Sequence, residues 1–179
     1  MNNLRNNLKK LLKESLIKGD FVLTSGKKSK FYLNGRNVTL TPEGVYCSAQ
    51  LIFKIIKREK ATAIGGPTIG ADPILGAIAF LAYVKKYPLK TFIIRKTTKK
   101  HADKKQIEGP VLNKKDKIII IDDTATTGQS LVKSVKVLRD YGFKVKNTLV
   151  LVDREEGAKE NLNKIDIKLS SIFKLKNLL

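Results

Sequence analysis

The sequence predicts an α/β protein built on a parallel sheet flanked by helices on both faces. Three observations carry this expectation. Ile118-Ile119-Ile120-Ile121 is a run of four branched residues, which suits a strand buried on both faces. Short strand patterns alternate with helical ones along most of the chain. The 179 residues are enough for one domain, 1–179, with a substantial core, and no linker or internal repeat divides it.

The elements follow in order. Leu4, Leu8, Leu11, Leu12 and Leu16 fall at helical spacing and predict an amphipathic helix over residues 2–18. Phe21-Val22-Leu23 and Phe31-Tyr32-Leu33 flank a glycine-containing turn and predict a hairpin. Thr41-Pro42-Glu43 opens a second helix, with Pro42 suited to its first turn, running to about residue 57. Residues 61–64 form a short strand ending in Gly65-Gly66-Pro67, residues 72–84 a helix, and residues 91–94 another strand. A polar segment over 95–117 interrupts the alternation before the isoleucine strand. A helix then covers 130–141, stopped by Gly142, followed by a strand over 146–152 and a weak strand–helix tail.

Composition narrows the function classes. Cys47 and His101 are the single cysteine and histidine, which excludes a disulfide framework and a cysteine or histidine metal cluster and fits a reducing cytoplasm. No apolar run approaches the ~20 residues of a membrane span. Lys9, Lys10 and Lys13 interrupt the leucines of the N-terminus, so it does not read as a signal peptide. The net charge of +20 comes from 30 lysines and only 6 arginines, scattered along the chain. That pattern reads as solvated surface rather than a nucleic-acid footprint, so neither nucleic acid nor membrane is expected as a partner.

The richest segment follows the isoleucines: Asp122-Asp123-Thr124-Ala125-Thr126-Thr127-Gly128-Gln129-Ser130. Small hydroxyl residues and a glycine between a strand and a helix gather N–H groups, hydroxyls and a helix N-terminus, which suits a phosphate monoester. Two acids beside it would repel that anion unless they face sugar hydroxyls, Mg²⁺ or both. A phosphorylated ribose answers both requirements. No Gly-Lys-Ser/Thr follows the turn, so a Walker loop is excluded. Upstream, residues 95–105 hold six cations against one acid, a composition that leaves a loop mobile until a polyanion neutralises it.

The nine-residue segment resembles the phosphoribosyl pyrophosphate (PRPP) signature of the type I phosphoribosyltransferases. Three further matches resemble the orotate phosphoribosyltransferase branch. Arg95-Lys96-x-x-Lys99-x-His101 resembles its catalytic loop, here about residues 95–110, although Ala102 stands where the family usually has glycine. Residues 21–32 resemble its N-terminal hood, here contributed by about 1–40, with Thr24 where many members carry a substrate-contacting lysine. Asp153-Arg154-Glu155-Glu156-Gly157 resembles its base-binding loop.

The resemblance implies transfer of ribose 5-phosphate from PRPP to orotate, giving orotidine 5′-monophosphate and pyrophosphate in de novo pyrimidine synthesis. Arg95, Lys96, Lys99 and His101 would contact the pyrophosphate, with Lys99 and His101 catalytic. Asp122 and Asp123 would hold the ribose hydroxyls, and residues 124–130 the 5′-phosphate. Thr126 and Arg154 would meet orotate, and a guanidinium suits its carboxylate. Tyr32, by its aromatic ring rather than by the resemblance, offers a stacking surface for a planar pyrimidine or else a core side chain. Residues 65–73 would form the other pyrophosphate-side loop. Mg²⁺ would be held mainly by substrate, with no protein metal site. A cytoplasmic homodimer is implied, the catalytic loop reaching the neighbouring subunit's site. The length suggests a stand-alone transferase. The alternatives are a purine or uracil phosphoribosyltransferase, and a nucleic-acid-binding regulator of the same fold.

Overall fold

The computed structural model describes residues 2–22, 28–97 and 105–179. Helix α1 (Asn2–Glu14) leads into strand β1 (Leu16–Val22), which pairs antiparallel with β2 (Lys28–Leu33) to form a separate two-stranded hood. The helix predicted over 2–18 therefore ends early. The Ser15 hydroxyl bonds the Leu12 carbonyl, and pairing of Leu16, Ile17 and Lys18 with β2 draws the chain into the hairpin. A short helix α2 (Arg36–Thr39), not predicted, connects to α3 (Pro42–Glu59). Thr41 caps α3 by accepting from the Gly44 N–H, and Pro42 occupies the first turn as expected.

The main sheet has six strands in the order β5-β4-β3-β6-β7-β8. These are β3 (Ala63–Pro67), β4 (Lys90–Ile94), β5 (Ile107–Glu108), β6 (Ile118–Ala125), β7 (Val145–Asp153) and β8 (Lys168–Lys174), all parallel except β5. Helix α4 (Asp72–Val84) links β3 to β4, α5 (Gln129–Asp140) links β6 to β7, and α6 (Ala158–Asn163) precedes β8. Three expectations need correcting. Gly65-Gly66-Pro67 lies within β3, because it pairs with Phe92, Ile93 and Ile94 of β4. The polar segment after Ile94 contains β5, too short to show a period. The tail runs helix then strand, and β8 extends the sheet beside β7.

The isoleucine run behaves as its composition dictates. Ile119 and Ile121 enter the core beneath α1, α3 and α4, while Ile118 and Ile120 enter the core beneath α5 and α6. Period-two alternation thus serves two apolar layers rather than one. Among the described residues, no helix is long and apolar enough to cross a membrane.

Connections from β3 and β6 leave in opposite directions, since β3 leads to β4 on one side and β6 to β7 on the other. The carboxyl ends of these neighbouring strands form a topological switch point, where α/β sheets open a crevice. The two acids of the signature stand there.

Candidate active site

Strand β6 runs three residues beyond the isoleucine pattern's first acid, so Asp122 and Asp123 are strand residues rather than loop residues. Their side chains lie at the end of the sheet and are 7% and 8% exposed. Asp122 accepts from the Ser130 hydroxyl at 3.0 Å and from the Asp123 N–H at 3.0 Å. Asp123 accepts from the Thr124 N–H at 2.6 Å and its hydroxyl at 3.3 Å. These bonds do not offset the loss of water. Burial first, and then the neighbouring Asp123 charge, push Asp122 up to about 8. Burial also raises Asp123, against the Thr124 bonds and the positive charge of Arg36. The pair is therefore short of hydrogen-bond donors and positive charge, and a ligand bringing either is favoured.

Two glycines let backbone approach the acids closely. A Cβ at Gly70, in the β3–α4 loop, would stand 2.4 Å from Asp122 Oδ1 and 2.8 Å from Asp123 Oδ1. A Cβ at Gly35, between β2 and α2, would stand 2.7 Å from Asp123 Oδ2. Each would drive a carboxylate out of place. The acids thus form the floor of a cleft of about 460 Å³, walled by these two loops.

The signature turn closes another side. Gly128, at φ 72°, lies in the left-handed region and turns the chain from β6 into α5. Thr124, Thr126 and Ser130 line the cleft, whereas Ala125 at the end of β6, Thr127 and Gly128 in the turn, and Gln129 at the start of α5 do not. The Thr127 carbonyl accepts from Asn161, tying the turn to α6.

Arg154, just past β7, also lines the cleft, as does Tyr32 of the hood. The Arg154 backbone N–H bonds the Ala125 carbonyl at 2.9 Å, which anchors this loop to the signature strand. Its side chain pairs with Glu156 at 3.1 Å and donates to the Phe31 carbonyl of β2 at 3.3 Å. Tyr32 stacks obliquely on Phe21, their ring centroids 5.5 Å apart, and remains 37% exposed toward solvent and cleft.

The structure therefore gathers Asp122, Asp123, Thr124, Thr126, Ser130 and Arg154 around one space, with Tyr32 and Lys96 at its edge. Pro67, Thr68, Ile69 and Gly70 of the glycine-bearing loop join them. Arg95 does not line this cleft. It pairs with Glu108 of β5 at 3.5 Å and lines an adjoining cavity of about 530 Å³ against α5, which also contains Lys96 and Ser130. Lys99, His101 and Ala102 lie outside the described residues, as do Thr24 and the hood turn.

Sequence reasoning missed Asn34, Gly35 and Arg36, which line the cleft beside Tyr32. Asn34 Oδ1 accepts from both the backbone N–H and Nε of Arg36, fixing that cation near Asp123. The available signal was an arginine, one of only six, directly after an Asn-Gly pair at the end of a strand.

Known proteins bear on this geometry. Residues 38–175 match the family profile described as phosphoribosyl transferase domain. The chain is 43% identical over 159 residues to the orotate phosphoribosyltransferase of Aquifex aeolicus (strain VF5), covering 89% of this chain and 86% of that protein. It is 38% identical over 160 residues to the orotate phosphoribosyltransferase of Nostoc sp. (strain PCC 7120 / SAG 25.82 / UTEX 2576), covering 89% and 77%. The crystal structure of orotate phosphoribosyltransferase from Aeropyrum pernix superimposes with a TM-score of 0.78 at 31% identity, covering 96% of each chain. The Mycobacterium tuberculosis H37Rv orotate phosphoribosyltransferase, solved in complex with PRPP, gives 0.79 at 26% identity over 98% of each chain.

Proposed function

We propose that this chain, which belongs to the orotate phosphoribosyltransferase family of the phosphoribosyl transferases, joins orotate to PRPP and so makes orotidine 5′-monophosphate and pyrophosphate for pyrimidine synthesis. The observation that carries the reading is the presence, in one cleft, of two buried acids on β6 and a buried arginine past β7. The acids suit the hydroxyls of a ribose. The arginine suits the carboxylate that orotate carries and that uracil and the purine bases lack.

The roles follow from position. Asp122 and Asp123 accept hydrogen bonds from the ribose hydroxyls and favour the positive charge that develops on the ribose as pyrophosphate leaves. Thr124, Thr126 and Ser130, with the N–H groups of residues 125–129, hold the 5′-phosphate, and Thr126 also reaches toward the base. Arg154 fixes orotate by its carboxylate, with Tyr32 against its ring. Lys96, with Arg95 near the adjoining cavity, draws the pyrophosphate. Lys99 and His101 complete the charge neutralisation there, as the family resemblance implies. No side chain needs to form a covalent intermediate, so the rate gain comes from positioning and electrostatics.

Among the described residues no group of three His, Cys, Asp or Glu is placed to cage a metal ion. Asp122 and Asp123, both raised in pKa by burial, would face Mg²⁺ carried by the substrate rather than cage it. The ion supplies neutralisation of the pyrophosphate when bound.

Helix α4 supports a homodimer. Its inner face buries Ile74, Leu75 and Ile78, yet its outer face presents Phe80, Tyr83 and Val84, which are 70%, 84% and 53% exposed. A helix apolar on all sides belongs in an interior, and a second copy of this chain provides one. Lys99 and His101 would then serve the neighbouring site while Lys96 serves its own, in a cytoplasmic enzyme whose lone Cys47 is a buried free thiol. Phe80→Glu is expected to give monomers in sedimentation analysis.

The test is loss of orotate absorbance with PRPP and Mg²⁺, beside Lys99→Ala. Consumption that needs Mg²⁺ and falls about a hundredfold or more in the variant supports the reading. Turnover of uracil or a purine base in place of orotate overturns it.

A further inference from the structure

Resting on the reading of Arg154 as the orotate contact, we propose that Glu156 is the positioning residue that sets the Arg154 guanidinium and thereby the preference for a carboxylated base. The loop from Asp153 to Gly157 is bent so that its two glutamates separate. Glu155 has φ 59° and Gly157 φ 105°, both in the left-handed region. The Glu155 N–H bonds the Asp153 carboxylate at 2.9 Å, and the Glu155 carboxylate turns to Lys174 and Lys176, 3.2 Å from each. Glu156 is left facing inward, with its Oε1 3.1 Å from Arg154 Nε.

The pair is enclosed, the side chains being 5% exposed for Arg154 and 19% for Glu156. Glu156 Oε2 is buried without a hydrogen-bond partner, so the guanidinium is the group that stabilises this carboxylate. Arg154 is thus restrained by charge on one side and by a hydrogen bond on the other: its Nε, like Glu156 Oε2, makes no hydrogen bond, so Glu156 acts on it as an ion pair. Glu156 takes the Nε side and the Phe31 carbonyl takes Nη2, at 3.3 Å. With the backbone N–H also bonded to Ala125, the plane of the fork is fixed relative to both the signature strand and the hood. A bidentate grip on a carboxylate depends on that plane. Pre-setting it spares the ordering cost of a long side chain at the moment of binding.

Glu156→Ala and Glu156→Gln test this beside Arg154→Ala, with KM for orotate and for PRPP, kcat and melting temperature measured on each. The expected result for Glu156→Ala is a KM for orotate raised about 10-fold or more, with KM for PRPP within about twofold. Glu156→Gln keeps the shape of the side chain but not its charge, and should recover at most part of the loss. An unchanged KM for orotate in Glu156→Ala overturns the proposal, as does an equal rise for both substrates with a fallen melting temperature. If Arg154→Ala itself spares orotate, the parent reading fails. If Arg154→Ala raises KM for orotate and Glu156→Ala does not, only the positioning role fails.

Discussion

Asp116 and Asp122 stand near opposite ends of one strand and meet opposite electrostatics. Asp116, just before β6, accepts from the Asn113 N–H at 2.7 Å, from Lys90 at 2.8 Å and from the Thr62 hydroxyl at 2.9 Å. Burial alone would raise its pKa, but these bonds and the Lys90 charge outweigh it and hold the carboxyl below the ordinary range. Asp122 is more deeply placed, has a second acid as its neighbour, and is pushed up to about 8. One end of the strand has satisfied its carboxylate within the protein. The other keeps two carboxylates in want of partners, a state that costs stability and is met when a ligand binds.

The largest expected effect separates these ends by activity. Asp122→Asn should lower orotate turnover by about 10²–10³-fold, because an amide cannot support charge developing on the ribose. Its melting temperature should hold or rise, since folding no longer has to bury a carboxylate or take up a proton there. Asp116→Asn should do the reverse. Turnover per folded molecule should stay within about threefold of wild type, while stability falls by about 1–3 kcal/mol, discounted for the partly open Lys90 side chain. For a chain of this size each kcal/mol lowers the melting temperature by about 2–4 °C. Thermal melts with parallel assays measure both.

A smaller effect lies in the pH dependence of the unliganded protein. Asp116, with a lowered folded pKa, contributes stability above the unfolded carboxylate range and loses it as pH falls through the folded value. Asp122 works oppositely. Its raised folded pKa gives a contribution that is complete below 3.8 and lost as pH rises toward about 8. Melting temperatures from about pH 2 to about 9 should show that Asp122→Asn flattens the decline between 3.8 and about 8, and that Asp116→Asn flattens the loss below 3.8.

The same contrast explains what the sequence could disclose. Ile118 to Ile121 announced a two-sided strand because composition alone distinguishes one, and Asp122, Asp123 and Arg154 were visible because their chemistry is dense in a short span. Asn34, Gly35 and Arg36 were not. Gly35 matters because Asp123 Oδ2 stands against it, an adjacency of residues 88 positions apart that no local pattern encodes. The early end of α1 and the two-residue β5 were hidden for the same reason, since each is decided by pairing with a distant strand. Glu156 carried no role of its own in the sequence, because its inward turn depends on the loop's two left-handed residues.

The most direct test compares PRPP- and Mg²⁺-dependent orotate loss for Asp122→Asn and Asp116→Asn at a temperature where both are folded. The account predicts turnover near wild type for Asp116→Asn and a loss of about a hundredfold or more for Asp122→Asn. Near-wild-type turnover by Asp122→Asn would contradict it, because the acids at the end of β6 would then not be the groups that hold the ribose.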